Sequence, residues 1–353
     1  MKLRRIFALL LAALLCLSLA ACGEKEPEQT DRIPSTSPYA KWVEPWVRNV
    51  PQTAVDTGTI QFYFMSGEGM ELTNANNVEP TKSGDCCFIA FPNGETMLID
   101  GNQRLYAPVL IENLQRLGVT RIDHLVISHP HSDHYGGVFE ANGVLDNFEV
   151  GQAYWSGVGD GTRGDPFFVR SNFKTRNVPV TELCAGDSLQ IGEVSIRAIS
   201  PAADMKGKKS TSESNTNSCS LVLRMDYQDF SALFTGDIYA DQEQKLVKLY
   251  QDTGELDVDL LKTPHHGTGR TSNTALFANA VKPKLAVATG YVVMDPTVYY
   301  AYIKHGGAVL TDTLNGYMHV WTDGTDLEWE TSRERQPSIY DKYDELAAQK
   351  NAG

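Results

Sequence analysis

The sequence has six cysteines in 353 residues and no Cys-x-x-Cys pair. That excludes a thiolate zinc knuckle as the organising element of the fold. Positive charge is also scarce: 31 Lys and Arg stand against 44 Asp and Glu, a formal net charge of −13. Sequence-independent nucleic-acid binders cluster cations against phosphates, so a tight, stable nucleic-acid complex is not expected. After residue 21 no apolar run is long enough to cross a bilayer. The 29 glycines show no period, which excludes a collagen-like chain. What is present is globular in character, with 42% hydrophobic and 21% charged residues. Of eight histidines, five fall in two short clusters.

The N-terminus reads as an address. Lys2, Arg4 and Arg5 precede a predominantly apolar stretch, Ile6 to Ala21, too short for a comfortable membrane span. It ends Leu19-Ala20-Ala21-Cys22, which resembles the lipobox of bacterial lipoproteins; a plain secretory signal or an uncleaved anchor are the alternatives. The resemblance implies cleavage of residues 1–21, lipid attachment at Cys22 and an extracytoplasmic, membrane-anchored protein. Losing Lys2, Arg4 and Arg5, and no acid, moves the charge from −13 to −16. Residues 22–57, with Glu24, Glu26, Pro27, Glu28, Pro34 and Pro38, read as the lipidated cysteine and a flexible tether. A single globular domain follows at 58–330 and a charged tail at 331–353. Cys86 and Cys87 read as small buried residues on opposite faces of a strand. Cys184 and Cys219 read either as two thiols or as a disulfide.

Thr59–Ser66 has strand character, and Cys86–Phe91 and Thr96–Ile99 form a hairpin pattern around Asn93-Gly94. Arg104–Leu117 is amphipathic and is stopped by Gly118. Ile122–Ser128 is a buried strand, and Phe139 to Thr181 reads as loops above the site. Further strands fall at 188–199, 220–225, 230–234, 256–262, 285–289, 308–310 and 318–322, with helices at 240–250 and 298–305. Two successive blocks of strands, helix and strand predict an α/β (αββα) sandwich, two sheets between helices. Beyond about residue 334 the chain reads as a fraying tail or loose helix.

Residues 128–137 read Ser-His129-Pro-His131-Ser-Asp133-His134-Tyr-Gly-Gly, directly after an apolar strand. Imidazole nitrogens and a carboxylate at this density suit Zn²⁺, Mn²⁺ or Fe²⁺. Alternation lets His129 and His131 aim at one cation while Asp133 and His134 turn to a second. Asp237, in Thr235-Gly236-Asp237, either caps the helix from Ala240 or bridges two cations. His265-His266-Gly267 follows another apolar strand, and adjacent side chains on an extended segment diverge, so the two are not expected to share a cation.

The run His129-x-His131-x-Asp133-His134 resembles the signature of the metallo-β-lactamase fold hydrolases. Within them the chain resembles the ComEC-like subgroup, the hydrolase domain of a DNA-uptake protein and its stand-alone relatives. Supporting pieces lie in order: Gly84-Asp85, Leu98-Ile99-Asp100-Gly101, Ala185-Gly186-Asp187, Asn217-Ser218-Cys219-Ser220, Phe234-Thr235-Gly236-Asp237 and Leu261-Lys262-Thr263-Pro264-His265-His266-Gly267-Thr268. The resemblance covers roughly residues 58–325.

It implies two divalent metal ions, Zn or Mn, with Asp237 as the shared ligand. His129 and His131 would complete the first site, and Asp133, His134 and His266 the second. Asp133 would orient the attacking water, and His265 would face the substrate as stabiliser or proton donor; the roles of His265 and His266 could be exchanged. Asp100 reads as a carboxylate beneath the metals that fixes a ligand tautomer. No histidine lies between His134 and His265, where many superfamily members supply one. Asn217, Ser218 and Thr268 are candidates for touching the substrate or supporting a ligand, with turn chemistry as the alternative for Asn217 and Ser218. Met294-Asp295-Pro296 stands where close relatives often carry His-Pro. His124, His305 and His319 read as structural or surface residues.

The implied activity is a metal-dependent phosphodiesterase, with DNA as one substrate and phosphorylcholine on teichoic acid as the alternative. A non-catalytic surface binding module is the reading from another class. The expected partners are a phosphodiester substrate and, through Cys22, the membrane, with no stable nucleic-acid complex and a monomeric chain.

Overall fold

The computed structural model describes residues 58–65, 83–159, 165–206, 213–290 and 292–352, and the backbone of a strand pair at Thr73–Asn74 and Asn77–Val78. The leader, Cys22 and the tether lie outside the described residues.

In chain order the strands of the two large sheets are β1 (Ile60–Phe64), β2 (Cys87–Ala90), β3 (Thr96–Ile99), β4 (Arg121–Ile127), β5 (Glu149–Trp155), β6 (Val180–Glu182), β7 (Ser188–Ile191), β8 (Val194–Ser200), β9 (Val222–Tyr227), β10 (Phe230–Phe234), β11 (Leu260–Lys262), β12 (Leu285–Ala288), β13 (Ala308–Thr311), β14 (Met318–Thr322) and β15 (Leu327–Thr331). The first sheet runs β15-β14-β1-β2-β3-β4-β5-β6 and the second β13-β12-β11-β10-β9-β8-β7. The principal helices are α1 (Ala107–Arg116), α2 (Ser132–Phe139), α3 (Asp165–Thr175), α4 (Ala240–Tyr250), α5 (Ala275–Val281), α6 (Pro296–Ile303) and α7 (Asp341–Ala352).

Three apolar layers separate these elements. Between the sheets, Phe62, Phe64, Ile89 and Met97 meet Leu223, Met225, Phe234 and Val287. Outside the first sheet, Leu98, Leu125 and Trp155 pack against Leu110 and Leu114 of α1 and Val138 of α2. Outside the second, Leu233, Leu261 and Ala286 pack against Leu246, Phe277 and Tyr302. Strand pleating sends neighbours to opposite layers, as with Met97 and Leu98, or Cys87 and Cys86. The result is the expected αββα sandwich.

Strands β3 to β6 pair in parallel, and so do β10 to β13. A parallel block delivers all its carboxyl ends, and the loops that follow them, to one edge of the sheet. The two blocks meet at the same edge, where Leu221 N donates to Ser128 O across the sheets. That edge carries the histidines.

The structure departs from expectation in several places. Phe139–Thr181 is not loop alone: β5 extends the first sheet and ends in fully buried Trp155, and Phe173 of α3 packs in the same layer. Gly151 and Gln152 interrupt its apolar pattern. A Cβ at Gly151 would sit 2.8 Å from Asp123 O on β4, so close strand approach demands the glycine. The charged tail contains α7, docked through buried Tyr340 and Ala347 and through Asp344, which accepts a hydrogen bond from the Tyr299 hydroxyl of α6. Its few apolar residues left little periodicity to read. Strand β15, with exposed Glu328 and Glu330, is a sheet edge whose charges hide its pairing with β14. The described cysteines are free thiols, and Cys184 Sγ donates to Asp187 Oδ2, so the disulfide alternative is not adopted.

Candidate metal centre

Each functional side chain comes from the loop or first helical turn after a strand. His129 and His131 follow β4, and Asp133 and His134 open α2. Asp100 follows β3, Asp237 follows β10, and His265 and His266 follow β11. Asp85 lies just before β2, and its backbone N–H donates to Asp133 O. The structure thus gathers all six proposed metal ligands, His129, His131, Asp133, His134, Asp237 and His266, at one edge.

Two histidines are held in matching ways. His134 Nδ1 lies 2.8 Å from Asp100 Oδ2, and His266 Nδ1 lies 2.9 Å from Asp85 Oδ1. A ring whose Nδ1–H is given to a carboxylate has its lone pair on Nε2. Both Nε2 atoms face Asp237 Oδ2, at 3.2 and 3.3 Å, with no aligned hydrogen bond. Asp237 Oδ1 is likewise buried without a hydrogen-bond partner among the described residues. Two lone pairs and an anionic oxygen converging out of contact with water repel one another unless a cation stands between them. This donor set fits a divalent metal of the zinc or manganese kind.

Electrostatics agree. At His134 burial disfavours the charged ring, but Asp237, Asp100 and Asp133 overcome it and lift its pKa to about 10. His266 is raised well above the usual imidazole range, with burial again opposed by Asp237 and Asp85. Burial acts to raise the Asp237 carboxyl, yet His134 and His266 hold it well below the usual carboxylate range. His129 goes the other way, since burial, His134 and His131 all push it down. The carboxylates that favour positive charge on His134 and His266 would equally favour a cation between them.

The remaining candidates divide. His129 Nε2 lies 3.0 Å from His131 Nδ1 and 3.8 Å from Asp237 Oδ2, so His129 joins the group around that oxygen and His131 adjoins it through His129. Asp133 Oδ2 stands 3.3 Å from His266 Nε2 and is less buried than the histidine. His265 is partly open to solvent, its Nδ1 2.7 Å from Thr271 Oγ1 and its Nε2 3.8 Å from Asp237 Oδ2. Thr268 Oγ1 is 3.3 Å from the same Nδ1 and supports His265. Ser218 donates to Asp241 and lines an apolar cavity of about 580 Å³ beside α4, so its hydroxyl is committed away from the ligand set. Asn217 is buried, with Oδ1 making no hydrogen bond among the described residues. His124, His305 and His319 bond to Glu95, Asn279 and Glu330 respectively, outside the centre.

The His265-His266 segment is not extended. Both residues take left-handed backbone conformations, with φ of 44° and 57°. Each costs on the order of 1–2 kcal/mol for a residue with a Cβ. Asn273 clamps the turn, donating from Nδ2 to Pro264 O and Thr268 O at its two ends. Glu243 holds Asn273 in turn through its backbone N–H.

Sequence reasoning gave no role to Asp85, Lys262, Thr271 or Asn273. Asp85 sits in the Gly84-Asp85 pair, but its partner His266 is 181 residues away. The signal for Lys262 was a lone cation at the end of an apolar strand.

A family model described as the beta-lactamase superfamily domain matches residues 96–291, more than half of the chain. ComE operon protein 3 of Bacillus subtilis (strain 168) is 29% identical over 223 residues, which is 58% of this chain and 26% of that protein. Competence protein ComA of Neisseria gonorrhoeae is 33% identical over 212 residues, 59% of this chain and 26% of that one. The chain therefore spans about a quarter of the length of these curated relatives. Among solved structures, the metallo-beta-lactamase fold protein YhfI from Bacillus subtilis aligns with a TM-score of 0.44 at 11% identity, covering 72% of this chain and 95% of that one. The chain belongs to the beta-lactamase superfamily domain family, a superfamily of metal-dependent hydrolases, and has the metallo-β-lactamase fold.

Proposed function

We propose that this chain is a two-metal phosphodiesterase that works outside the cytoplasm, tethered to the membrane through a lipid on Cys22. The observation that supports the chemistry most directly is the convergence of His134 Nε2 and His266 Nε2 on Asp237, each ring fixed from behind by a carboxylate. Asp237 would be shared by both cations; His129 and His131 complete one site, and Asp133, His134 and His266 the other. Divalent cations held there make a water acidic enough to attack and neutralise charge on phosphoryl oxygens. The chain's own groups do the rest. Asp133, at the less buried side of the centre, accepts a hydrogen bond from the attacking water and aims it. His265, with Nδ1 held by Thr271, presents Nε2 to the departing oxygen and supplies its proton when charged.

One matched relative is a competence protein by name, which makes DNA a substrate to test. A phosphodiester of the cell envelope, such as phosphorylcholine on teichoic acid, is the second reading. The charge of −16 without the leader weakens the DNA reading, because a long polyanion is repelled. The deciding experiment loads the protein with Mn²⁺ or Zn²⁺ and offers single- and double-stranded DNA, phosphorylcholine-bearing teichoic acid and small phosphodiesters. Hydrolysis of none of these by metal-loaded protein sinks the phosphodiesterase reading. The anchor is tested by Cys22→Ala, which should release the protein from membranes; equal retention refutes it.

A further inference from the structure

Lys262 is the only buried lysine among the described residues, and it lies inside the metal centre without being a ligand. On β11, Leu260 faces the inter-sheet core and Leu261 the outer layer, so the pleat turns Lys262 back between the sheets. Its ammonium sits 2.7 Å from Asp85 Oδ2 and donates to Thr263 O at 3.0 Å. The other Asp85 oxygen is engaged twice, by Thr289 Oγ1 at 2.6 Å and by His266 Nδ1 at 2.9 Å. Yet an oxygen of Asp85 lies within 4.8 Å of ligand atoms on His134, Asp237 and His266. By distance Asp85 qualifies as a further ligand. By its hydrogen bonds it is already committed.

We propose that Lys262 determines which cation the His134–His266 site prefers, by holding Asp85 as the carboxylate that orients His266 and not as one that ligates. The proposal rests on the metal reading above and adds a specificity residue to it. Lys262 is a positioning residue, acting on His266 through Asp85. With the ammonium in place, the cation meets two imidazoles and the carboxylates of Asp133 and Asp237. With it removed, Asp85 is a buried anion without compensation, one of whose oxygens already lies within 4.8 Å of ligand atoms on His134, Asp237 and His266. An added hard oxygen donor favours Mn²⁺, whereas imidazole-rich surroundings favour Zn²⁺. Lys262 therefore biases the site toward zinc.

The test is calorimetric titration of the full chain, stripped by chelation, with MnCl₂ and ZnCl₂ in separate runs. The ratio of the two affinities in the wild type is the reference. Lys262→Met should move that ratio toward Mn²⁺ by about tenfold or more, the usual reach of residues behind a ligand. Lys262→Arg keeps a cation beside Asp85 and should keep the wild-type ratio. Adding Asp85→Asn to Lys262→Met should bring the ratio back, because the released carboxylate is gone. The absorption bands of Co²⁺-substituted protein should change in Lys262→Met and not in Lys262→Arg. An unchanged ratio in folded Lys262→Met, or the same shift in the double variant, overturns the inference and leaves the metal centre standing. A wild type that binds neither cation overturns the metal reading, and this inference with it. Where Lys262→Met does not fold, Lys262→Gln loses the charge more gently and reads the same ratio.

Discussion

Asp85 accepts a hydrogen bond from His266 at 2.9 Å across 181 residues of chain. Asp100 does the same for His134 at 2.8 Å. The centre is therefore two carboxylate–histidine pairs aimed at one shared carboxylate, and its properties follow from what fixes each ring.

Asp100→Asn tests that logic. Asp100 Oδ2 takes both His134 Nδ1 and Ser128 Oγ, while Oδ1 takes Ser128 N. An amide that keeps the Ser128 N–H bond must turn its own N–H toward His134. That moves the ring proton to Nε2 and removes the ligand lone pair. Metal affinity should fall by about 10- to 100-fold. Titration calorimetry showing unchanged affinity would mean the tautomer is set elsewhere.

The two adjacent histidines should separate by readout. His266→Ala removes a buried ring held by Asp85, so metal content should drop. His265→Ala removes a partly open ring held by Thr271. It should leave metal content intact and lower kcat by about 10²- to 10⁴-fold, the range for a general acid. Elemental analysis beside steady-state kinetics distinguishes them, and loss of metal in both variants would contradict the division of roles.

Gly84→Ala should damage the centre from a distance. Gly84 has φ of +86°, and a Cβ there would lie 1.9 Å from Asp133 O. The loop carrying Asp85 would have to leave α2. A loss of more than about 2 kcal/mol in denaturant unfolding is expected, together with weaker metal binding. A variant as stable as wild type would show that the close approach is not needed.

His319 gives a pH dependence outside the centre. Burial keeps its ring below the usual imidazole pKa despite the bond to Glu330. At this ring the unfolded chain then binds more protons just below pH 6.5, so the His319 contribution to stability rises with pH through that window and is level above it. His319→Gln should flatten this limb. Parallel slopes in wild type and variant between about pH 5 and 7 would refute the assignment.

Legibility in the sequence tracked how local each feature is. His129, His131, Asp133 and His134 lie within six residues after one strand, so spacing alone pointed to metal chemistry. The layered sandwich followed from apolar runs at 122–128, 230–234 and 285–289, which are buried as expected. Asp237 reads in the sequence as a helix cap or a metal bridge, because only the folded chain brings His134 and His266 to its Oδ2. The Asp85–Lys262–His266 set leaves no local pattern, because Asp85 precedes β2 while Lys262 ends β11 and His266 follows it. The left-handed turn at His265-His266 was missed because Asn273, which clamps it, leaves no local pattern. Strand β5 was lost to Gly151 and Gln152, and α7 to its polar surface.

The most direct test of the central claim is turnover of a fluorogenic bis-aryl phosphodiester by wild type and Asp133→Ala. Wild type should be silent after chelation and active again with Mn²⁺ or Zn²⁺, and Asp133→Ala should be slower by at least about 10²-fold. No turnover by fully metal-loaded wild type, or equal turnover in Asp133→Ala, would contradict the account.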